Sequence, residues 1–393
     1  MKNRKLAFDL VALLSPVCFL PAVLFVILCF PTRSDAQKST PSEAVALEQQ
    51  GKFDEAAEAW RSVVAKNPRD AAAFASLGVV FSRQQKYPEA AAAYKKALAL
   101  NPKLPGVQLN LGLAEFKQGH FDAAVAPLRK AALSDPSNMQ AATLLGLSYY
   151  GAKRFADASK YLAAPAKVDL ANVELHQVLA QSCLLSKNYS CALDEFRLIL
   201  EKDPDSAAAH MLSGEALDGL GRGPEAIAEF EAAAKASPRD PSVHFGLGFL
   251  YWKSHQYDQA KPEFESSLAI DPTYAPSMVY LGDIAMKGDK LDEALVQLRN
   301  AARLKDDIRL AHVDMGAVLM QQKQYEDAAT AFRRAVELDP AEPDAHYRLA
   351  RVYQAMGRAE ESKKEFAKVR DLHEKADESL ASKIPATPLP VSH

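Results

Sequence analysis

The sequence predicts an all-α fold, an α-α superhelix of about ten 34-residue helix-turn-helix units, and three observations carry that prediction. Proline returns at Pro68, Pro102, Pro136, Pro204, Pro238, Pro272 and Pro340, always 34 or 68 residues apart. The two missed beats fall on Leu170 and Asp306, so the register continues without insertion or deletion. Alanine-rich runs such as Ala71 to Ala73 and Ala90 to Ala93 favour helix, and no sustained apolar-polar alternation between turn signals calls for strands. A period of this length over most of the chain means stacked small units sharing one continuous core, not a single globule.

The chain opens on Lys2, Arg4 and Lys5, followed by residues 10–30 without a charged side chain. Ser34-Asp35-Ala36 places small residues one and three positions before Gln37. This is the layout of a secretory signal with cleavage after Ala36. The apolar stretch is also long enough for the other reading, a membrane anchor, although Pro16 and Pro21 interrupt it. Residues 1–36 are therefore expected to be a signal peptide or an N-terminal anchor. Either way the positive end stays in the cytoplasm and the repeats lie outside it, in the periplasm or beyond the cell. Any contact with membrane would run through residues 10–30, if they are retained.

Within one unit, residues 71–104, Phe74, Leu77, Gly78 and Phe81 lie at spacings of three and four and form one helix face. Gln84-Gln85-Lys86 makes a polar turn, and Tyr87, Ala90, Tyr94 and Ala97 mark the face of a second helix. Asn101-Pro102 ends it, because proline cannot continue helical hydrogen bonding. The eighth position holds glycine in most units (Gly78, Gly112, Gly146, Gly214, Gly248, Gly282, Gly316) and the twentieth holds alanine in all but the last. A glycine inside a helix costs about 1 kcal/mol relative to alanine, so its recurrence implies close approach of the paired helices. Large residues fill the space alongside, among them Trp60, Tyr94, Leu128, Phe196 and Phe332.

Leu77-Gly78, Phe81, Ala90, Tyr94, Ala97 and Pro102, repeated in register, resemble the tetratricopeptide repeat family. The resemblance spans residues 37–376, with the first and last units degenerate. It implies a right-handed superhelix whose first helices line a concave groove that binds peptides or protein segments. Two departures stand in the fourth unit: Pro165 lies inside the second helix, where it should kink or shorten it, and Leu170 replaces the terminal proline.

The first helices carry a second apolar stripe, which in this family faces the groove. It runs through Leu109, Leu113 and Phe116, then Leu147 and Tyr150, then Leu184 and Leu185, then Met211. It continues through Phe245, Phe249 and Trp252, then Val279 and Met286, Val313 and Met320, and Tyr347. The outer face of the second helices is polar, with Arg61, Lys95, Arg129 and Arg333 among others, so the apolar excess is one-sided. Such a surface reads as a recognition groove, with Phe245, Phe249 and Trp252 its best cluster and Asp283 and Lys287 among the polar groups beside it. Coverage of the stripe by neighbouring units is the competing reading. No unit has asparagine at its ninth position, so the family's clamp for a C-terminal carboxylate is not expected.

His176, His210, His244, His312 and His346 all take the fourth place of their units. Equivalent positions on packed helices are about 8–10 Å apart, too far to share an ion, so they read as packing groups and no metal is expected. Cys183 and Cys191 flank the turn of the fifth unit, where a disulfide and two free thiols both fit.

Composition excludes more. Hydrophobic residues make up 48% and charged residues 25% of the chain, as in ordinary soluble proteins. Net charge is −3; without residues 1–36 the chain holds 43 basic and 48 acidic side chains, a net −5, so no nucleic-acid partner is expected. Phosphate-cradling glycine loops, zinc-protease helices and nucleophile elbows are missing from the sequence, which predicts a non-enzyme without cofactor. Residues 377–393, with Pro385, Pro388 and Pro390, read as a disordered tail. The expected function is an exported scaffold for protein or peptide partners in envelope assembly or secretion. A self-associating structural protein and a non-catalytic subunit of an envelope enzyme complex are the alternatives.

Overall fold

A computed structural model describes residues 40–383, and the signal or anchor segment lies outside the described residues. Twenty helices follow one another, with no strand among the described residues. The first units comprise α1 (Pro41–Gln49) with α2 (Phe53–Lys66), α3 (Ala71–Arg83) with α4 (Tyr87–Leu100), and α5 (Val107–Lys117) with α6 (Phe121–Ser134). The next are α7 (Met139–Gly151) with α8 (Phe155–Val168), α9 (Val173–Leu185) with α10 (Tyr189–Lys202), and α11 (Ala207–Gly219) with α12 (Gly223–Ala236). Then come α13 (Pro241–Lys253) with α14 (Tyr257–Ile270), and α15 (Ala275–Lys287) with α16 (Leu291–Leu304). The last are α17 (Arg309–Gln321) with α18 (Tyr325–Leu338), and α19 (Pro343–Ala355) with α20 (Ala359–Lys383). The final helix runs past position 376 to Lys383, so the start of the tail expected to be disordered is helical; the rest lies outside the described residues.

Local chemistry sets these boundaries. Thr40 caps α1 in a reciprocal capping box with Glu43, and the side chains of Asp70, Asn138 and Asn172 accept from the third amide of their helices. Each first helix ends on a residue with positive φ at the fifteenth place of its unit. Four of these are Gly51, Gly119, Gly221 and Gly357; the other six are Gln85, Lys153, Lys187, His255, Asp289 and Lys323. The amide of Lys86 donates to the carbonyl of Phe81 at 2.9 Å and that of Gln85 to Ser82 at 3.1 Å, the paired bonds of a Schellman stop.

The recurrent glycine has a specific cause. A Cβ on Gly78 would stand 2.5 Å from the Tyr94 ring, and one on Gly112 would stand 2.3 Å from Leu128. The large side chain of the second helix is thus a knob pressed onto bare backbone of the first. Tyr94 is 1% exposed and Leu128 fully buried as a result. Pro165 does not shorten its helix: α8 keeps the length of its equivalents, and Pro127 and Pro262 also lie inside full-length helices. Each proline removes one amide donor, but the carbonyl of Pro165 still accepts from Asp169 at 3.0 Å and the turn closes normally.

Every helix packs on its neighbours in sequence. Contacts that skip one helix join first helices, as in α5 with α7, α13 with α15 and α15 with α17. First helices therefore crowd the inner curve, and the second helices lie on the outer one.

Candidate functional site

The inner curve is built from the first helices, and its best-defined part lies between α13 and α19. Phe245 and Phe249 stand one turn apart on α13 with ring centroids separated by 6.4 Å. Trp252 follows at 5.9 Å from Phe249. Tyr280, on α15, joins all three, at 5.8 Å from Phe245, 5.5 Å from Phe249 and 4.9 Å from Trp252. All four rings are half-buried. Edge-to-face and offset contacts of this kind add to the apolar burial they accompany.

Polar groups lock this aromatic set to carboxylates. The Trp252 indole N–H donates to Asp283 Oδ2 at 2.5 Å, and Lys287 Nζ donates to Asp283 Oδ1 at 3.0 Å. The same ammonium lies 6.0 Å from the Trp252 ring centroid. Burial disfavours charge on Lys287, but Asp283 more than offsets it and holds its pKa above the ordinary lysine value. Asp314, one unit on, is buried, and its Oδ2 has no hydrogen-bond partner. Burial, reinforced by the charge of Asp283, pushes its pKa up to about 7, while Arg348 and Lys287 pull the other way. Arg348 Nε is itself paired with Asp344 at 2.8 Å.

The remaining stripe residues are more covered than the sequence suggests. Leu109, Leu113, Phe116, Leu147, Tyr150, Met211, Met286 and Met320 are half-buried, and Tyr347 alone among the twelve candidate groove residues is exposed, at 45%. Val279 and Val313, also on the stripe, are buried and serve packing between units. Tyr150 donates to Gln181 Oε1 at 2.6 Å, and Lys253 to Asp218 Oδ1 at 2.6 Å, so polar stripe residues brace adjacent first helices. Tyr280 and Asp314 were not foreseen; both hold the sixth place of their units, beside the stripe.

The histidines are structural and systematic. His176, His210, His244 and His346 each meet a glutamate nineteen residues later through Nδ1, at 2.5, 2.6, 2.7 and 2.6 Å. In three of them Nε2 meets the carbonyl six residues earlier, on Pro204, Pro238 or Pro340. At His176 the corresponding carbonyl, on Leu170, accepts from Lys202 instead, and Nε2 is left without a partner. His312 has Ala331 where the others have glutamate, and its Nδ1 is unpartnered. The signal was readable: histidine in fourth place travels with glutamate in twenty-third. Cys183 and Cys191 are joined by a disulfide that links α9 to α10, with Cα atoms 5.8 Å apart.

Profiles described as Tetratricopeptide repeat match residues 42–105, 109–172 and 179–241, and again 241–274 and 343–372; a TPR repeat profile matches 316–357. The chain belongs to the tetratricopeptide repeat family. Solved structures similar to this chain include yeast Tom70, 15% identical over 84% of this chain and 91% of that one, with a TM-score of 0.41. MamA from Desulfovibrio magneticus is 21% identical over 44% of this chain and 97% of its own, at 0.40. YrrB, described as a TPR protein with an unusual peptide-binding site, is 22% identical over 48% of this chain and 97% of its own, at 0.38. No curated protein matches the chain.

Proposed function

We propose that this tetratricopeptide repeat protein is an exported scaffold that takes a polypeptide partner into the groove of its first helices, in an envelope-assembly or secretion process. The observation that carries the groove reading is the half-buried set of Phe245, Phe249, Trp252 and Tyr280 on the inner curve, a large amphipathic surface at one place in the stack. Leu109, Leu113, Phe116, Leu147, Tyr150 and Met211 extend the apolar track toward the N-terminus, and Met286, Met320 and Tyr347 extend it the other way. The Cys183–Cys191 disulfide supports export, since such bonds persist in oxidising compartments. No helix among the described residues is long and apolar enough to cross a membrane. Scaffolding, not catalysis, is the activity this surface supports.

The test is a pull-down from an envelope fraction with the wild-type chain and a Phe249→Ala/Trp252→Ala variant. Partners held by the wild type should be lost from the variant while its helical circular dichroism stays unchanged. Equal recovery on both would remove the groove from the account. Sequencing the N-terminus of the mature chain reads export directly: a start at Gln37 marks a cleaved signal.

A further inference from the structure

Resting on the groove reading, we propose that Asp283 and Asp314 form a seat for a lysine or arginine side chain of the bound polypeptide, with Trp252 and Tyr280 as its aromatic wall.

The argument begins with local charge balance. Asp283 is matched by Lys287 at 3.0 Å and Asp344 by Arg348 at 2.8 Å. Asp314 has no such partner, is 8% exposed, and keeps one carboxylate oxygen buried without a hydrogen bond. An unpaired buried carboxylate is costly, and a fold that needed only packing would not keep one. The repeat shows that packing does not require it. The equivalent sixth place holds Leu144, Val178 and Leu212 in other units, and no unit but this one has an acid there.

The surroundings specify the missing group. The charges that bear on Asp314 are Asp283 and Lys287 on α15 and Asp344 and Arg348 on α19, flanking first helices of the inner curve. Asp283 already holds an ammonium, and that ammonium lies over the Trp252 ring. The protein thus demonstrates on Lys287 the recognition it would extend to a guest: carboxylate beneath, aromatic face beside. A second cation from a groove-bound segment would complete Asp314 and place its apolar flanks against Phe249 and Trp252. With Asp314 ionised, the charge over these five groups is one negative in excess, which fits a cationic side chain and opposes an acidic one.

The test uses a random-peptide phage library panned on the whole protein, on Asp314→Asn, and on Phe249→Ala/Trp252→Ala. Clones selected by the wild type and lost on the double variant should be enriched in Lys or Arg beside apolar residues. A synthetic peptide from such a clone, titrated by calorimetry, should bind Asp314→Asn roughly tenfold or more weakly, with an equal loss when its basic residue becomes norleucine. Replacing the peptide's residue needs no protein variant, so that arm is immune to misfolding. Groove-dependent clones without basic enrichment, or equal binding to Asp314→Asn, overturn the cation seat while the groove stands. Clones that bind the double variant equally, or no clones at all, overturn the groove reading and the seat with it.

Discussion

Asp314 and the fourth-place histidines show how much a single side chain can carry in a repeated fold. The folded chain holds the Asp314 proton to about pH 7, against 3.8 for an ordinary aspartate, because burial and Asp283 both oppose its charge. A raised folded-state pKa means stability that is fully present below the unfolded value and is lost as pH rises through the folded one. Unliganded protein should therefore lose on the order of 4 kcal/mol relative to Asp314→Asn between about pH 4 and pH 8. Urea unfolding of both chains across that window reads the difference, and parallel curves would show that Asp314 does not resist ionisation. The histidines make a differential prediction. Glu195→Ala strips His176 of its one partner, because Nε2 already has none. Glu229→Ala leaves His210 bonded to the Pro204 carbonyl. The first should cost about 1–3 kcal/mol and exceed the second, as measured by chemical denaturation. The histidine positions were plain in the sequence, yet their partners were not, since a contact across a hairpin shows only when the two columns of the repeat are compared. Asp314 was harder still: its sixth place lies off the apolar stripe, and nothing in a linear reading reveals that neighbouring units bury it.

At the scale of the element, the period fixed both helices of every unit, because proline, glycine and alanine act on backbone geometry and need no tertiary context. The expected shortening at Pro165 did not occur, for the complementary reason. Local preference is a small term beside the packing of a full apolar face, and α8 keeps its length. The turns hold a less visible regularity. Six units place a non-glycine residue in the left-handed conformation that four others assign to glycine. Lys153→Gly and Lys323→Gly should each remove part of that strain and raise stability by about 1 kcal/mol. A thermal melt of each single variant reads this; an unchanged midpoint would mean that the more flexible unfolded chain cancels the gain. The eighth-place glycines invert the rule. Gly78→Ala drives a methyl into the Tyr94 ring and should destabilise the chain despite the better helix propensity of alanine.

Across the described residues, contacts run chiefly between neighbouring helices and between successive first helices, so stability is a sum of unit and interface terms and need not be lost everywhere at once. The sequence announced this architecture through its period, but it left the openness of the inner curve undecided, because coverage depends on how tightly units coil. The structure divides that stripe into buried packing positions such as Val313 and half-buried ones such as Phe249. The disulfide tests whether the stack behaves as a one-dimensional chain. It closes a loop of only eight residues' separation within the fifth unit, so its reduction should release about 2–3 kcal/mol of constraint there and nowhere else. Hydrogen exchange on reduced and oxidised protein should differ across α9 and α10, weakly in the flanking α8 and α11, and not at all in α1 or α20. The unit before it lacks its terminal proline and the fifth itself carries the half-satisfied His176, so this is the place where loss of a crosslink should separate the stack into an N-terminal and a C-terminal block. Exchange that rises uniformly from α1 to α20 on reduction would mean that the solenoid unfolds as one cooperative body and that its groove opens or closes as a whole.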